Sequence, residues 1–381
     1  MQHHLDADTI LTFLFSLAAI LASAELFTNG VEWLGRRLSL AEGAVGSVLA
    51  AVGTALPETL IPFVAILITR GETGHQIGLG AILGAPFMLA TLAMFVTGLA
   101  AVAFRRRRPE GATVVVNCGV LTRDLGFFLI MYIAAVAASF APGRAFHIAV
   151  CCGLIIAYGF YLRQTFSDPS TANGELEALR LQRLLARWWW RRRADGEDLH
   201  GYRERRQAVG DGAPRLRVIL GQVLIALAGI VGGAYIFVGA ARETAHALGV
   251  APLLVALVIA PVATELPEKF NSVVWMRQGK DTYALGNITG AMVFQSSFPV
   301  SLGLAFTSWR LVAAHGEPQT ALYSVALALA GGLWILVAAL LAPREEPVTA
   351  GAPRRIRLNP AVLLVGGALY ATFLVLLIAR V

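Results

Sequence analysis

VLAAVGTALPETLIPFVAIL, from Val48 to Leu67, is apolar almost throughout, yet it carries Gly53, Thr54, Pro57 and Glu58 inside a run long enough to cross a bilayer. Pro57 has no N–H to donate, and its ring crowds the carbonyl four residues back, that of Gly53. A helix opened there leaves a free carbonyl, the Thr54 hydroxyl and the Glu58 carboxylate close together at membrane depth. A charge at that depth costs about 2.5–3.5 kcal/mol on insertion scales, so an intramembrane glutamate points to function by default. The stretch occurs twice. VALVIAPVATELPEKFNSVVW, from Val255 to Trp275, sets Thr264, Pro267 and Glu268 at matching positions 210 residues later.

Composition places these stretches in a membrane protein. Hydrophobic residues make up 57% of the chain and charged residues 14%, with a mean hydropathy of +0.67; a soluble chain of this length would carry about 25% charged residues. The net charge of +7 needs no nucleic acid to explain it. Lys and Arg gather in loops, as the positive-inside rule expects. Three cysteines, two of them adjacent at Cys151 and Cys152, give neither a disulfide framework nor metal-ligand spacing. The N-terminal MQHHLDADTI lacks a basic region and a cleavage site, so no signal peptide is read there, and His3 and His4 fit a solvated tail.

Hydropathy and helix breakers give ten spans, near 8–29, 40–70, 75–104, 123–141, 145–164, 217–241, 250–276, 282–308, 319–342 and 359–380. With that count every basic cluster falls on one side, including Arg105 to Arg108 and the polar segment 164–216. That side is expected to be cytoplasmic, with both termini outside, in a bacterial inner membrane. Within the linker, ELEALRLQRLLARWWWRRR reads as a basic amphipathic helix for the headgroup layer of the lipid bilayer. The expected organisation is a first five-helix repeat over 1–163 with its motif at 53–58, the linker 164–216, and a second repeat over 217–381 with its motif at 263–268. Five spans per half make the second half upside down relative to the first. The fold class is therefore an all-α polytopic membrane protein, two inverted five-helix repeats with broken helices meeting at the midplane. AELFTNG, GTALPE and GLGAILGAPFMLATL in the first half are answered in order by AYIFVGA, VATELPE and ALGNITGAMVFQSSF.

These residues resemble the cation/calcium exchanger superfamily, the sodium/calcium exchangers and their bacterial relatives. That family carries GTSLPE on its second and seventh spans and GNxxGSNxxN/D on its third and eighth. The resemblance implies a secondary antiporter, with Glu58 and Glu268 as cation ligands from opposite halves and Thr54 and Thr264 beside them. Hard cations take oxygen ligands, and two carboxylates balance one divalent charge, which agrees with calcium as the cargo. No cofactor is implied beyond the transported inorganic cations.

The departures fall at the oxygens that serve sodium in the resembled exchangers. The motif serine is Ala55 in one half and Glu265 in the other. The Gly-Asn pair is Gly80-Ala81 in the first half and Gly286-Asn287 in the second, and the next serine is Ala85 and Ala291. The following Asn is Pro86 and Met292, and the last polar position is Leu89 and Gln295. The second half gains Glu265 and Lys269, four residues apart, with Pro261 as a second breaker beside Pro267. Two readings are open. Glu265 and Lys269 neutralise each other, or Glu265 carries the coupling proton, since like charges in a poorly hydrated site resist full ionisation. Protons are the favoured coupling ion and sodium the other.

Glu25, deep in the first span, lines an access path or makes a structural hydrogen bond. Arg123-Asp124 reads as an interfacial ion pair, Asn271, Ser272, Ser296 and Ser297 as cavity or backbone-bonding groups, and His75, His147, His246 and His315 as span-end residues. No nucleophile–base arrangement or phosphate loop is present. A cation-binding sensor or structural subunit that does not transport is the alternative function, and an intramembrane enzyme a weaker one. Oligomeric state is not legible.

Overall fold

The computed structural model describes residues 7–37, 56–141, 143–166, 179–181, 214–309, 318–345 and 354–379. Gly53, Thr54 and most of the linker with its expected amphipathic helix lie outside the described residues. The first half contains α1 (Ala7–Arg37), α2 (Leu56–Phe63), α3 (Gly71–Met88), α4 (Met94–Ala103), α5 (Cys118–Ala138) and α6 (Arg144–Phe166). The second contains α7 (Leu216–Leu248), α8 (Pro252–Thr264), α9 (Leu266–Arg277), α10 (Asp281–Gln295), α11 (Phe298–Phe306), α12 (Pro318–Leu341) and α13 (Ala361–Ile378). Among the described residues eight helical stretches are long and apolar enough to cross a membrane, with shorter apolar helices at Pro57–Thr69 and Pro252–Val262. The segment expected at 40–70 is described only from Leu56.

Prolines set where these helices change pitch. Pro62 precedes the π turn Val64–Thr69, and Pro86 precedes the π turn Leu89–Ala93 that joins α3 to α4. Each proline withholds an N–H from the regular ladder, and the chain recovers with wider i→i+5 bonds such as Arg70 N to Ala65 O at 3.1 Å. In the second half the helices are interrupted, between α8 and α9 at Glu265 and between α10 and α11 at Ser296-Ser297.

Helices from the two halves lie directly on each other. α1 runs along α7, and α3 crosses α8 with two glycines at the contact. A Cβ at Gly80 would strike the carbonyl oxygen of Leu253, and one at Gly84 that of Leu257. Small residues allow this backbone approach. α3 is the bridge between two apolar clusters. Ile77 and Ala81 join Ile20, Ile61 and Phe237 of α1, α2 and α7, while Leu83 and Phe87 join Phe128, Ile288 and Phe373 of α5, α10 and α13. The outward faces stay apolar, with Phe15, Ile130, Ile156 and Leu224 exposed, as lipid contact requires.

The all-α expectation takes one correction. β1 (Val114–Asn117), β2 (Arg344–Glu345) and β3 (Arg355–Leu358) form a small antiparallel sheet in the order β1-β3-β2. Val114, Val116, Ile356 and Leu358 are buried from alternate positions. This period of two is short enough to be lost between long apolar helices.

Candidate cation site

The site is built from the first turn of α2 and from the turn at Glu265 that leads into α9. In α2, Glu58 follows Pro57 and is 5% exposed. Among the described residues neither of its carboxylate oxygens has a hydrogen-bond partner. The charges of Glu268, Glu265 and Lys269 all act on this carboxylate. Three acidic groups and one ammonium, from opposite halves of the sequence, thus share one buried neighbourhood.

On the other side, the α8 ladder closes onto Glu265 through Glu265 N to Pro261 O at 3.2 Å and resumes through Lys269 N to Glu265 O at 3.1 Å. Glu265 itself sits in a turn conformation at φ −89° and ψ 9°. That turn presents Glu265, Glu268 and Lys269 inward, each buried at 1%, 4% and 7% exposure. Lys269 Nζ donates to Pro261 O at 3.2 Å and pairs with Glu265 Oε2 at 3.4 Å. Glu265 Oε1 has no hydrogen-bond partner among the described residues. The Thr264 hydroxyl turns back to Ala260 O at 3.1 Å.

α10 fixes the height of this turn. Asn287 Nδ2 donates to the backbone carbonyl of Glu268 at 3.0 Å and lies 3.2 Å from Ser272 Oγ, which in turn donates to Ala284 O at 2.9 Å. Asn287 is therefore a strut between α9 and α10. Gln295 ends α10, is 2% exposed, and its Oε1 has no partner among the described residues. Ser296 and Ser297 satisfy carbonyls three residues back, so they serve the break itself. In the first half the equivalent sequence positions are carbon. Ala81, Ala85, Pro86 and Leu89 are all buried.

Other sequence candidates fall elsewhere. Glu25 is paired with Arg180 and more than half exposed. Next to it the linker residues Arg180 and Leu181 donate backbone N–H groups to Asn29 Oδ1 at 3.0 Å and Gln222 Oε1 at 2.8 Å. Asp124, expected at an interface, is 1% exposed and accepts from Thr289 Oγ1 at 2.7 Å and from Arg123 at 3.1 Å. Its neighbours α6 and α10 cover it, and Arg123 lies over the Tyr161 ring at 5.6 Å. His147 closes the end of α5, with Nε2 at 3.0 Å from Ala138 O. Arg108 was hidden in its run of four arginines. Its side chain is 0% exposed, and Nη2 donates to Asp281 Oδ2 at 2.7 Å and Thr113 O at 2.8 Å. Nothing in the run distinguishes it from Arg105 to Arg107. Among the described residues no three acidic, histidine or cysteine side chains are gathered into a metal cage.

A family model described as sodium/calcium exchanger protein matches residues 9–166 and 218–379. The fold is similar to the crystal structure of the H+/Ca2+ exchanger CAX, with a TM-score of 0.66 at 15% identity over 97% of this chain and 82% of the other. It is also similar to the sodium-calcium exchanger NCX_Mj soaked with Na+ and Ca2+, with a TM-score of 0.52 at 18% identity over 97% and 99%. The same exchanger soaked with Na+ and Sr2+ gives 0.51 at 19% identity over 96% and 97%.

Proposed function

The chain belongs to the sodium/calcium exchanger protein family, and from that premise we propose that it is an antiporter exchanging calcium for protons by alternating access. The observation that carries this reading is the burial of Glu58 within reach of the charges of Glu268, Glu265 and Lys269. Three carboxylates and one ammonium sum to two negative charges, which one divalent cation neutralises. When that ion leaves, charges of this density in a dry site must be compensated, and protons need no further oxygen ligands.

Sodium coupling has less to work with. A sodium ion needs oxygens, and the first-half positions that would supply them are Ala55, Ala81, Ala85, Pro86 and Leu89. The carbon side chains of Ala81, Ala85 and Pro86 give α3 an apolar spine instead. On this reading Glu58 and Glu268 are the cargo ligands, Thr54 and Thr264 lie beside them, and Gln295, whose buried Oε1 has no partner among the described residues, is a further candidate oxygen. Pro267 stands in the first turn of α9, just after the interruption at Glu265, and Pro57 in the first turn of α2, whereas Pro261, expected to break its helix, lies inside α8, which runs on to Thr264. The two halves are inverted five-helix repeats of ten spans in all, joined by a cytoplasmic linker in an inner membrane with the termini outside.

The test is uptake of labelled calcium into proteoliposomes under an imposed pH gradient and, separately, an imposed sodium gradient. The pH gradient should drive uptake and the sodium gradient should not. Sodium-driven uptake alone would replace the coupling ion, and calcium binding without flux under either gradient would favour the sensor.

A further inference from the structure

Lys269 is the one cluster member that a cation-binding site does not need. Its ammonium touches two oxygens, the Pro261 carbonyl at 3.2 Å and Glu265 Oε2 at 3.4 Å. A backbone carbonyl beside a helix break, here one that also accepts from Glu265 N at 3.2 Å, together with a carboxylate, is also the kind of ligand set a bound monovalent cation would use. The ammonium is held at 7% exposure, with its four-carbon stem rooted one turn beyond the carboxylate it pairs with.

We infer that the Lys269 ammonium is a tethered cation, occupying the place a monovalent ion would take beside Glu265 and making the exchange independent of such ions. The inference rests on the cation-site reading of this cluster and adds its ion selectivity. The charge count supports it. With Lys269 the cluster carries a net charge of minus two; without it the cluster carries minus three, one more than a divalent ion cancels. A mobile ion must then enter to supply the missing charge, because a buried uncompensated carboxylate is strongly unfavourable. The sequence places this pair in the second half alone, since the first-half counterparts of Pro261 and Glu265 are Ala51 and Ala55.

The experiment uses the purified full chain in detergent, melted in sodium chloride and in choline chloride of equal ionic strength. Wild type should melt alike in both, because choline and sodium differ only if a site for the smaller ion exists. Lys269→Gln should melt higher in sodium, and its calcium uptake in proteoliposomes should rise about tenfold when sodium replaces choline. Lys269→Arg, which keeps the charge, should stay indifferent to sodium. A folded Lys269→Gln with identical melting and uptake in the two salts overturns the proposal. If Lys269→Gln folds in neither salt, Glu265→Gln with Lys269→Gln restores the charge count and should be folded and sodium-indifferent; a sodium response in that double variant, or its failure to fold, also overturns it. Melting does not depend on transport, so a wild type that fails to exchange calcium counts against the antiport reading and leaves the selectivity of this site to be judged separately.

Discussion

Lys269 Nζ lies 3.4 Å from Glu265 Oε2, an i,i+4 ion pair whose side chains are 8% and 1% exposed. The pair spans the break between α8 and α9, so it closes a turn that the backbone leaves weak. Its two members also explain how a second half with an extra glutamate avoids an excess of buried negative charge.

Breaking this pair from one side should be costly. Glu265→Gln leaves an ammonium buried without its counter-charge, a loss of about 3–5 kcal/mol for comparable pairs. Replacing both residues by Gln removes the charges together and should recover most of the stability and calcium exchange. Thermal melting of the four members of this cycle measures the coupling. A folded, calcium-binding Glu265→Gln that loses only pH-driven flux, with no rescue by the double variant, would instead assign the proton to Glu265.

The contact between α3 and α8 makes a steric prediction. Gly84→Ala places a methyl against the Leu257 carbonyl and the Pro261 ring, and overpacking of this kind typically costs about 1–3 kcal/mol. Gly286→Ala is the control, because the nearest atom to its Cβ would be Val120 Cγ1 at 3.6 Å. The first variant should lower the melting temperature clearly and the second hardly at all. Equal effects would mean that the close approach of α3 to α8 is not what glycine serves there.

Asp124 gives a third. Thr289→Val removes one donor at 2.7 Å from a buried carboxylate and should cost about 1.5–3 kcal/mol, as hydrogen bonds to charged groups do. Asp124→Ala additionally leaves Arg123 without its carboxylate and should cost more. Melting of the two variants in detergent checks the order, and the reverse order would show that Arg123 is satisfied by other groups.

Much of this site was legible because its chemistry is expressed as exceptions to hydropathy. Glu58, Glu268, Glu265 and Lys269 stand out in apolar runs, and proline next to each motif glutamate marks where the helix opens. The strut from Asn287 to the Glu268 carbonyl was visible only as a polar residue in a small-residue span, without its partner. Long-range pairings were not legible at all. Arg108 reads as one of four identical loop charges, and only the fold reveals that Asp281, 173 residues on, takes it out of solvent. Asp124 read as half of an interfacial ion pair because its other partner, Thr289, lies in the opposite half. That Gly80 and Gly84 let α3 approach the backbone of α8 emerges only from the fold.

The most direct measurement is equilibrium calcium binding to the purified full chain by titration calorimetry, comparing wild type with Glu58→Gln and Glu268→Gln. Each substitution keeps the size of the side chain and removes one of the two charges that the proposed site offers a divalent ion from opposite halves. The expected result is one calcium bound by wild type and an affinity reduced about a hundredfold or more in either variant, the order expected from losing one close charge in a poorly screened site. Melting curves close to wild type would show that the variants remain folded. Wild-type affinity in either folded variant would contradict a cation site shared between Glu58 and Glu268.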